Sequence, residues 1–258
     1  MNSALLLAAE AANTPAAEES KKVAWSVVTY LINQFSLDGA GLALAVIGGV
    51  LVCMVLPYIF GSLNFAIIIS KLFYHDDIRK YGSGNAGMTN MLRTYGKLPA
   101  AATLLLDMAK GALSVVLGSL IFADIGSAIA GLFVVLGHMF PCFYKFKGGK
   151  GVATTAMVVL ATDWLVFLIL FAIFLIIVIG TKYVSLGSVM CMLIYPFVLA
   201  QIHNTGFNVL SAIIVAALVI FMHRSNIVRL RNGTESKISF KKKPKAPVTE
   251  STVHEENN

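Results

Sequence analysis

The segment that follows the first long apolar stretch, residues 81–97, reads YGSGNAGMTNMLRTYGK and mixes glycines with hydrogen-bond donors. Glycines let successive backbone N–H groups converge on one point, and polar side chains beside them complete a surrounding that suits a phosphate. We therefore predict that this loop binds a phosphorylated substrate through Ser83, Gly84, Asn85, Thr89, Asn90 and Arg93.

The same loop matches the dinucleotide-binding fingerprint G-x-G-x-x-G at residues 82–87, but that interpretation fails. The fingerprint requires a preceding strand within a βαβ unit. Here a long apolar segment and a charged loop precede it. The remaining alternative to a phosphate site is a flexible connector.

A second glycine-rich turn, within GHMFPCFYKFKGGKGVATT at residues 137–155, places Lys150 between glycines. It is not a P-loop, because Tyr144 stands at the first glycine position and Gly151 replaces the Ser or Thr that binds magnesium. Unpaired N–H groups and the dipole at a helix start favour an anion. We predict an anion site formed by Lys147, Gly148, Gly149, Lys150 and Gly151. Lysines that snorkel to a membrane border are the alternative.

A third polar segment, HRSNIVRLRNGTE at residues 223–235, follows the last apolar stretch. His223, Asn226 and Arg229 share one helix face at i, i+3 and i+6 spacing. They bind either the same anion or, as a basic cluster beside the membrane, anionic lipid. Ser185 begins an earlier apolar stretch and is either a ligand or a helix cap.

Three ionisable residues lie inside apolar stretches, where charge is costly and tends to be functional. Asp107 and Lys110 are spaced i, i+3, so they form either a structural ion pair or part of a site. His138 stands near the end of the next apolar stretch and is either a helix-packing residue or a ligand.

The elements that position these residues are membrane helices. The chain of 258 residues is 57% hydrophobic and 13% charged, with a mean hydropathy of +0.79. A soluble domain carries about 25% charged residues. The sequence therefore predicts an all-α integral membrane protein of about seven transmembrane helices, near residues 40–70 (kinked at Pro57), 98–122, 125–144, 152–162, 163–180, 184–202 and 207–223. Its three cysteines lie far apart in apolar stretches, which indicates neither a disulfide framework nor a metal site.

Basic residues follow alternate apolar stretches, and this asymmetry orients the chain. By the positive-inside rule the N-terminus is outside, the C-terminus is cytoplasmic and residues 162–164 form an external turn. Residues 1–39 form an extracytoplasmic extension, partly disordered, with an interfacial helix near 23–36. Residues 40–236 form the membrane domain, and 237–258 a basic, then polar cytoplasmic tail. With this topology, every motif that is predicted to bind an anion faces the cytoplasm. The net charge of +7 reflects this topology, an anionic ligand, or both.

The three polar segments, together with LLLDMAKG at 104–111, resemble the signature motifs of the bacterial acyl-phosphate:glycerol-3-phosphate acyltransferases, the PlsY family. The resemblance runs from Gly61 to Lys237. It implies a seven-helix enzyme of the inner (plasma) membrane with no cofactor or metal, and its partners would be acyl-phosphate, glycerol-3-phosphate and the bilayer, without nucleic acid. The reaction it implies is the first acylation step of phospholipid biosynthesis, which transfers an acyl group to the 1-hydroxyl of sn-glycerol-3-phosphate and yields lysophosphatidic acid and phosphate.

By motif position, the resemblance implies catalytic roles for Ser83, Arg93, Lys150, His223 and Asn226, and a ligand role for Ser185. The chain departs from the family pattern at Met88, where a small residue is usual, and at Ser225, where Glu is usual. Because the donor is already activated and no base adjoins Ser83, we expect this serine to bind or to stabilise an oxyanion rather than to act as nucleophile.

Two other classes of protein remain as alternatives. An organic-phosphate membrane transporter would favour an internal repeat and a site at the membrane midplane. The sequence shows no repeat, and apart from Asp107 and Lys110 the candidate groups lie at one face. The second alternative, a non-catalytic lipid-binding protein, would not explain the glycine-rich motifs.

Overall fold

The computed structural model describes residues 26–202 and 206–238, which form α-helices and short turns with no β-strand. Predictions for residues 1–25 and for most of the C-terminal tail lie outside the described residues. The helices are α1 (Val27–Phe35), α2 (Gly39–Ser62), α3 (Phe65–Tyr74), α4 (Met88–Thr94), α5 (Lys97–Met139), α6 (Val152–Thr162), α7 (Trp164–Thr181), α8 (Val184–Ile202), α9 (Gly206–Met222) and α10 (Arg224–Arg231).

The first apolar stretch breaks later than predicted. Helix α2 continues through Pro57 and ends at Ser62, because Leu63 and Asn64 adopt extended backbone angles. The Asn64 side chain then caps α3 by accepting the Ile67 N–H at 3.2 Å. A polar cap in the chain, rather than the proline, therefore sets the break.

Helix α5 is a hairpin of two antiparallel arms. Phe122 and Ala123 have non-helical backbone angles, and Ala123 has a φ of 50°. Beyond the bend, a Cβ on Gly118 would lie 2.2 Å from the Gly126 carbonyl oxygen, so the two backbones touch. Lys110 and His138, farther from the bend, also meet across the arms. Small residues thus let the arms approach closely, as is common in membrane helix pairs.

The remaining helices pack on this hairpin. Gly111 on the first arm lies against Thr154, and Gly131 on the second lies against Val158, so α6 contacts both arms. Residues 151–181 form two helices, as predicted, because the Asp163 carboxylate caps α7 by accepting the N–H groups of Leu165 and Val166. A core of buried side chains joins α5 to α9, among them Val134, Val135, Val159, Val166 and Val219.

The predicted count of seven spans is not confirmed by helix length. Four segments of the described chain are long and apolar enough to cross a membrane: Gly39–Tyr74, Lys97–Tyr144, Trp164–Thr181 and Val184–Ile202. Helices α9 and α10, bent by 57°, make a fifth if they are one span. The difference arises because α5 holds two predicted spans in one segment, and because α6 has only 11 residues. At about 1.5 Å per residue, α6 is roughly half the thickness of a bilayer core.

A helix does form within the predicted interfacial segment. Ser26 caps α1 by accepting the Thr29 N–H at 3.1 Å. Val28 is buried against Gly49 and the bend of α5 at Phe122. Val27, Tyr30 and Phe35 are exposed. This pattern suits a helix that lies flat at the membrane surface, which stays a prediction.

Candidate active site

A cavity of about 360 Å³ lies between the loops at one end of the bundle and the helices α4 to α10. One part of its wall is polar and comes from all three signature segments: Ser83, Arg93, Lys150, Asn226 and Glu235. The rest of its wall is apolar: Leu104, Met108, Val159, Phe167, Leu170, Phe171, Phe174 and Met192. The cavity therefore suits an amphipathic ligand with an anionic head and a hydrocarbon tail.

The first glycine-rich loop is held in shape by Asn90. This side chain is 1% exposed and accepts the Ser83 N–H at 3.0 Å. Its amide group donates to the carbonyl oxygens of Ile78, Tyr81 and Asn85 at 2.9 to 3.2 Å. Gly82 has a φ of +57°, and a Cβ there would meet the Asn90 side chain at 2.2 Å. Asn90 is therefore committed to the loop, which leaves Ser83, Asn85, Thr89 and Arg93 to face a ligand.

The second glycine-rich turn docks on the end of α5. The Gly148 and Gly149 N–H groups donate to the carbonyl oxygens of Met139 and His138, both at 3.1 Å. Neither N–H is free for an anion, contrary to the expectation of exposed N–H groups at this turn. The glycines are needed because a Cβ on Gly148 would lie 2.1 Å from the His138 carbonyl oxygen. This docking directs Lys150 into the cavity and leaves Lys147 exposed outside it.

Arg79 joins the two glycine-rich segments, and the sequence analysis missed it. Its guanidinium donates to the carbonyl oxygens of Tyr144 and Lys147 at 3.0 and 2.9 Å, and it pairs with Asp77 at 2.6 Å. The hydrogen bonds that Arg79 donates to the Asp77 carboxylate raise the pKa of Arg79 above its ordinary value. The planar fork of an arginine suits such multiple acceptors. The signal in the sequence that could have indicated this role is an arginine placed two residues after an aspartate.

Glu235 is the second residue that the sequence analysis missed. Its side chain is 6% exposed. Oε1 accepts from Asn226 Nδ2 at 2.7 Å and from Ser185 Oγ at 2.8 Å, and Oε2 accepts from Arg229 Nε at 2.7 Å. Asn226 Oδ1 in turn accepts from Lys150 Nζ. The Glu235 carboxylate thus accepts hydrogen bonds from Ser185, Asn226 and Arg229, which the sequence analysis had considered as ligands of an anionic substrate.

The segment after α10 carries Glu235 to the cavity, where it is part of the wall. The Ile238 N–H donates to the Lys182 carbonyl oxygen at 2.8 Å, and Arg93 Nη2 donates to the Ser236 carbonyl oxygen at 3.3 Å. Ser185 lies inside α8 with its hydroxyl on Glu235, so it contributes to this network and does not cap the helix.

Burial and neighbouring groups act in opposite directions on the pKa values of Lys150 and Glu235 at the polar end. Burial lowers the pKa of Lys150 to about 8, although the nearby Glu235 raises it. Burial acts to raise the pKa of Glu235, but the hydrogen bonds from Asn226, Ser185 and Arg229 outweigh it and lower the pKa. Lys150 is therefore a cation whose charge depends on the anion beside it.

His223 stands at the bend between α9 and α10 and lines the cavity. Its Nδ1 lies 2.8 Å from the Val219 carbonyl oxygen, which can only accept. Nδ1 therefore carries a proton, and in the neutral ring Nε2 has a free lone pair. Asn226 and Arg229 on α10 both contact Glu235, and Asn226 lines the cavity together with His223.

The structure brings most of the residues singled out in the sequence to this one cavity. Asp107 and His138 line it, and so do ten of the residues predicted to catalyse or to bind phosphate: Ser83, Asn85, Thr89, Asn90, Arg93, Lys150, Gly151, Ser185, His223 and Asn226. Gly84, Lys147, Gly148 and Gly149 do not. Met88, one of the departures from the family pattern, also lines it. Among the described residues, no group of three or more His, Cys, Asp or Glu side chains could hold a metal ion.

Comparison with known proteins agrees with the resemblance found in the sequence motifs. Residues 51–233 match the family model described as glycerol-3-phosphate acyltransferase. The glycerol-3-phosphate acyltransferase of Thermoanaerobacter sp. (strain X514) is 44% identical over 187 residues, which are 72% of this chain and 94% of that protein. The one from Finegoldia magna is 46% identical over 182 residues, 70% and 92% of the respective chains.

Solved structures agree with these relatives. The crystal structure of PlsY, an integral membrane glycerol 3-phosphate acyltransferase, in its glycerol 3-phosphate form superposes with a TM-score of 0.71 at 36% identity. The match covers 74% of this chain and 96% of that one. The lysophosphatidic acid form gives a TM-score of 0.68 at 35% identity, with the same coverage. The chain therefore belongs to the glycerol-3-phosphate acyltransferase family.

Proposed function

We propose that this membrane protein transfers a fatty acyl group from acyl-phosphate to the 1-hydroxyl of sn-glycerol-3-phosphate. The hydroxyl oxygen forms a bond to the acyl carbon, the bond from that carbon to the phosphate oxygen breaks, and the hydroxyl proton ends on the phosphate released. The products are lysophosphatidic acid and inorganic phosphate. The observation that carries this proposal is that a basic end and an apolar wall belong to the same cavity.

Both substrates carry phosphate, and the polar end of the cavity offers charges for them. Arg93 and Lys150 supply positive charge, while Ser83, Ser185 and Asn226 supply neutral donors. Arginine can grip a phosphate through two parallel hydrogen bonds. A bound phosphate competes with Glu235 for the donors of Ser185 and Asn226, which now hold the carboxylate. The apolar wall receives the hydrocarbon chain.

The attacking hydroxyl loses its proton either to His223 Nε2 or directly to the departing phosphate. The first route uses the free lone pair that the Val219 carbonyl fixes on Nε2. No covalent acyl-enzyme is required, because acyl-phosphate is already activated. Ser83 lies in the loop with no histidine hydrogen-bonded to it among the described residues, which supports a binding role.

We place the cavity mouth at the cytoplasmic face of the inner membrane, with the N-terminus outside, the C-terminus inside and seven membrane helices. The seven are α2 with α3, the two arms of α5, and α6 to α9. What supports this topology is the clustering of basic residues after alternate apolar stretches. Helix α6 is too short to span alone, but both arms of α5 shield it.

The decisive experiment supplies the purified protein in detergent with acyl-phosphate and labelled glycerol-3-phosphate. We expect labelled lysophosphatidic acid and one phosphate released per product. Replacing the donor with acyl-CoA should give little product, because the phosphates of coenzyme A lie many bonds from the thioester, so none of them can occupy the basic end while the acyl carbonyl sits next to it. Product formed from acyl-CoA at an equal rate would contradict the donor assignment, and no product from either donor would contradict acyl transfer.

A second experiment tests the role of Ser83. Protein given acyl-phosphate alone should not accumulate an ester on Ser83, and Ser83→Ala should lose activity through lost hydrogen bonding. An acyl-serine found by peptide mapping, and consumed at the rate of turnover, would overturn direct transfer.

A further inference from the structure

Asp107, Lys110 and His138 form a buried cluster in which no member is more than 4% exposed, and the reaction outlined above gives it no role. Lys110 Nζ lies 3.0 Å and 2.8 Å from the carbonyl oxygens of Gly61 and Leu63. It also lies 2.9 Å from Asp107 Oδ1 and 2.9 Å from His138 Nδ1. The cluster thus joins the end of α2 to both arms of α5.

The partners of Lys110 fix the proton on the His138 ring. A lysine ammonium only donates hydrogen bonds, and two of its partners are carbonyl oxygens that only accept. Because Lys110 forms an ion pair with the Asp107 carboxylate, it is the cation of the cluster. Its three N–H groups have hydrogen-bond geometry toward the Gly61 and Leu63 carbonyl oxygens and His138 Nδ1, so Nδ1 accepts from it. Asp107 Oδ1 lies 3.5 Å from Nδ1, too far to compete well as its acceptor. The ring is therefore neutral and carries its proton on Nε2.

The Nε2 side of the ring faces the turn that leads to Lys150, because a Cβ on Gly149 would lie 2.2 Å from Nε2. His138 also lines the cavity, together with Leu104 and Met108 of its apolar wall. We infer from these neighbours that the ring lies between the basic end and the apolar wall. In an acyl-phosphate, the atom group between the anionic head and the hydrocarbon chain is the carbonyl.

We propose that His138 Nε2–H donates a hydrogen bond to the carbonyl oxygen of the acyl donor, and that Lys110 and Asp107 are positioning residues that hold this tautomer. The inference rests on the proposed function. As the 1-hydroxyl oxygen adds to the carbonyl carbon, the electron pair of the C=O bond moves onto the oxygen that His138 faces. It returns when the bond to phosphate breaks, so His138 neither gains nor loses a proton. Such a donor acts mainly on the transition state.

The tautomer can be measured without any turnover. We would label the histidines with ¹⁵N, record NMR spectra of the full-length protein in detergent, and assign His138 from the signals lost in His138→Gln. We expect protonated Nε2 and unprotonated Nδ1 in the unaltered protein, and a mixture of tautomers in Lys110→Met. A ring protonated on Nδ1, or on both nitrogens, in the unaltered protein would overturn the proposal even if Lys110→Met fails to fold.

Kinetics then test the contact with substrate. The amide nitrogen of Gln can reach the place of Nε2, whereas the shorter Asn amide reaches only the place of Nδ1. We expect His138→Asn to lower kcat by about 10²-fold with little change in KM for glycerol-3-phosphate, and His138→Gln to retain most of kcat. Equal losses in the two variants, or a loss confined to KM, would refute the contact. If the unaltered protein makes no product from acyl-phosphate, the proposed function fails while the tautomer result stands.

Discussion

The charge of Lys150 gives the sharpest prediction, because burial places its pKa at about 8 and thus within the range of an ordinary assay. Below that pH the ammonium form dominates in the free protein, and above it the neutral amine does. If the cation is needed to bind phosphate, kcat/KM for glycerol-3-phosphate should fall as the pH rises through about 8. The charged fraction drops about tenfold between pH 7 and pH 9, and kcat/KM should drop as much.

Lys150→Arg tests the reasoning, since a guanidinium stays charged throughout this range. We expect a lower maximum for this variant but no decline between pH 7 and pH 9. Lys150→Ala should lose roughly ten- to a hundredfold in rate, the cost of about 1.5–3 kcal/mol for a charge-assisted hydrogen bond. Lys182→Ala is the matched control, because Lys182 is a lysine outside the cavity. The same decline in Lys150→Arg as in the unaltered protein, or equal mild losses in the two alanine variants, would refute the role of Lys150.

Three further predictions concern stability and topology. Glu235→Ala should lower the free energy of unfolding by about 2–4 kcal/mol because it leaves two buried donors, Ser185 and Asn226, and the partly exposed Arg229 without their acceptor, and Glu235→Gln should cost less; equal melting temperatures in detergent would contradict this. Gly149→Ala should destabilise by about 1–3 kcal/mol because its Cβ would meet the His138 ring and the Ala86 carbonyl, whereas Gly180→Ala, with open space around it, should be neutral or stabilising in the same melting experiment. Single cysteines at Asp163 and Gly233, in a chain without its native cysteines, should be labelled from opposite sides of the membrane, and labelling from the same side would rule out the seven-helix topology.

The sequence predicted the all-helical membrane class and the family because both depend on long, ordered patterns. Apolar stretches identify helices wherever they occur, and the comparisons confirm the family. The bend of α5 at Phe122 and Ala123 falls where the sequence separated the spans 98–122 and 125–144. The count of seven is not confirmed by helix length, because α6 has only 11 residues and α9 passes the length test only together with α10.

The site was predicted at the level of segments rather than of atoms. Residue types that suit a phosphate indicated Arg93 and Lys150 correctly as cavity residues. Residue types could not show that the Gly148 and Gly149 N–H groups are hydrogen-bonded to carbonyl oxygens at the end of α5, because these bonds depend on how the turn packs against the helix. Glu235 was overlooked for a related reason: a lone carboxylate among basic residues acquires its partners only when α8 and α10 meet.

The hairpin of α5 bears on how the chain assembles in the bilayer. Its contacts join residues close in sequence, from the Gly118–Gly126 approach to Lys110 and His138, which are 28 residues apart. Closing so short a loop costs little chain entropy, so the hairpin can form as soon as both arms have entered the membrane. Its closure brings Asp107, Lys110 and His138 together at once. The charges that would be most costly to leave in lipid are thus paired by the first tertiary structure available to them, before α6 to α10 need to arrive.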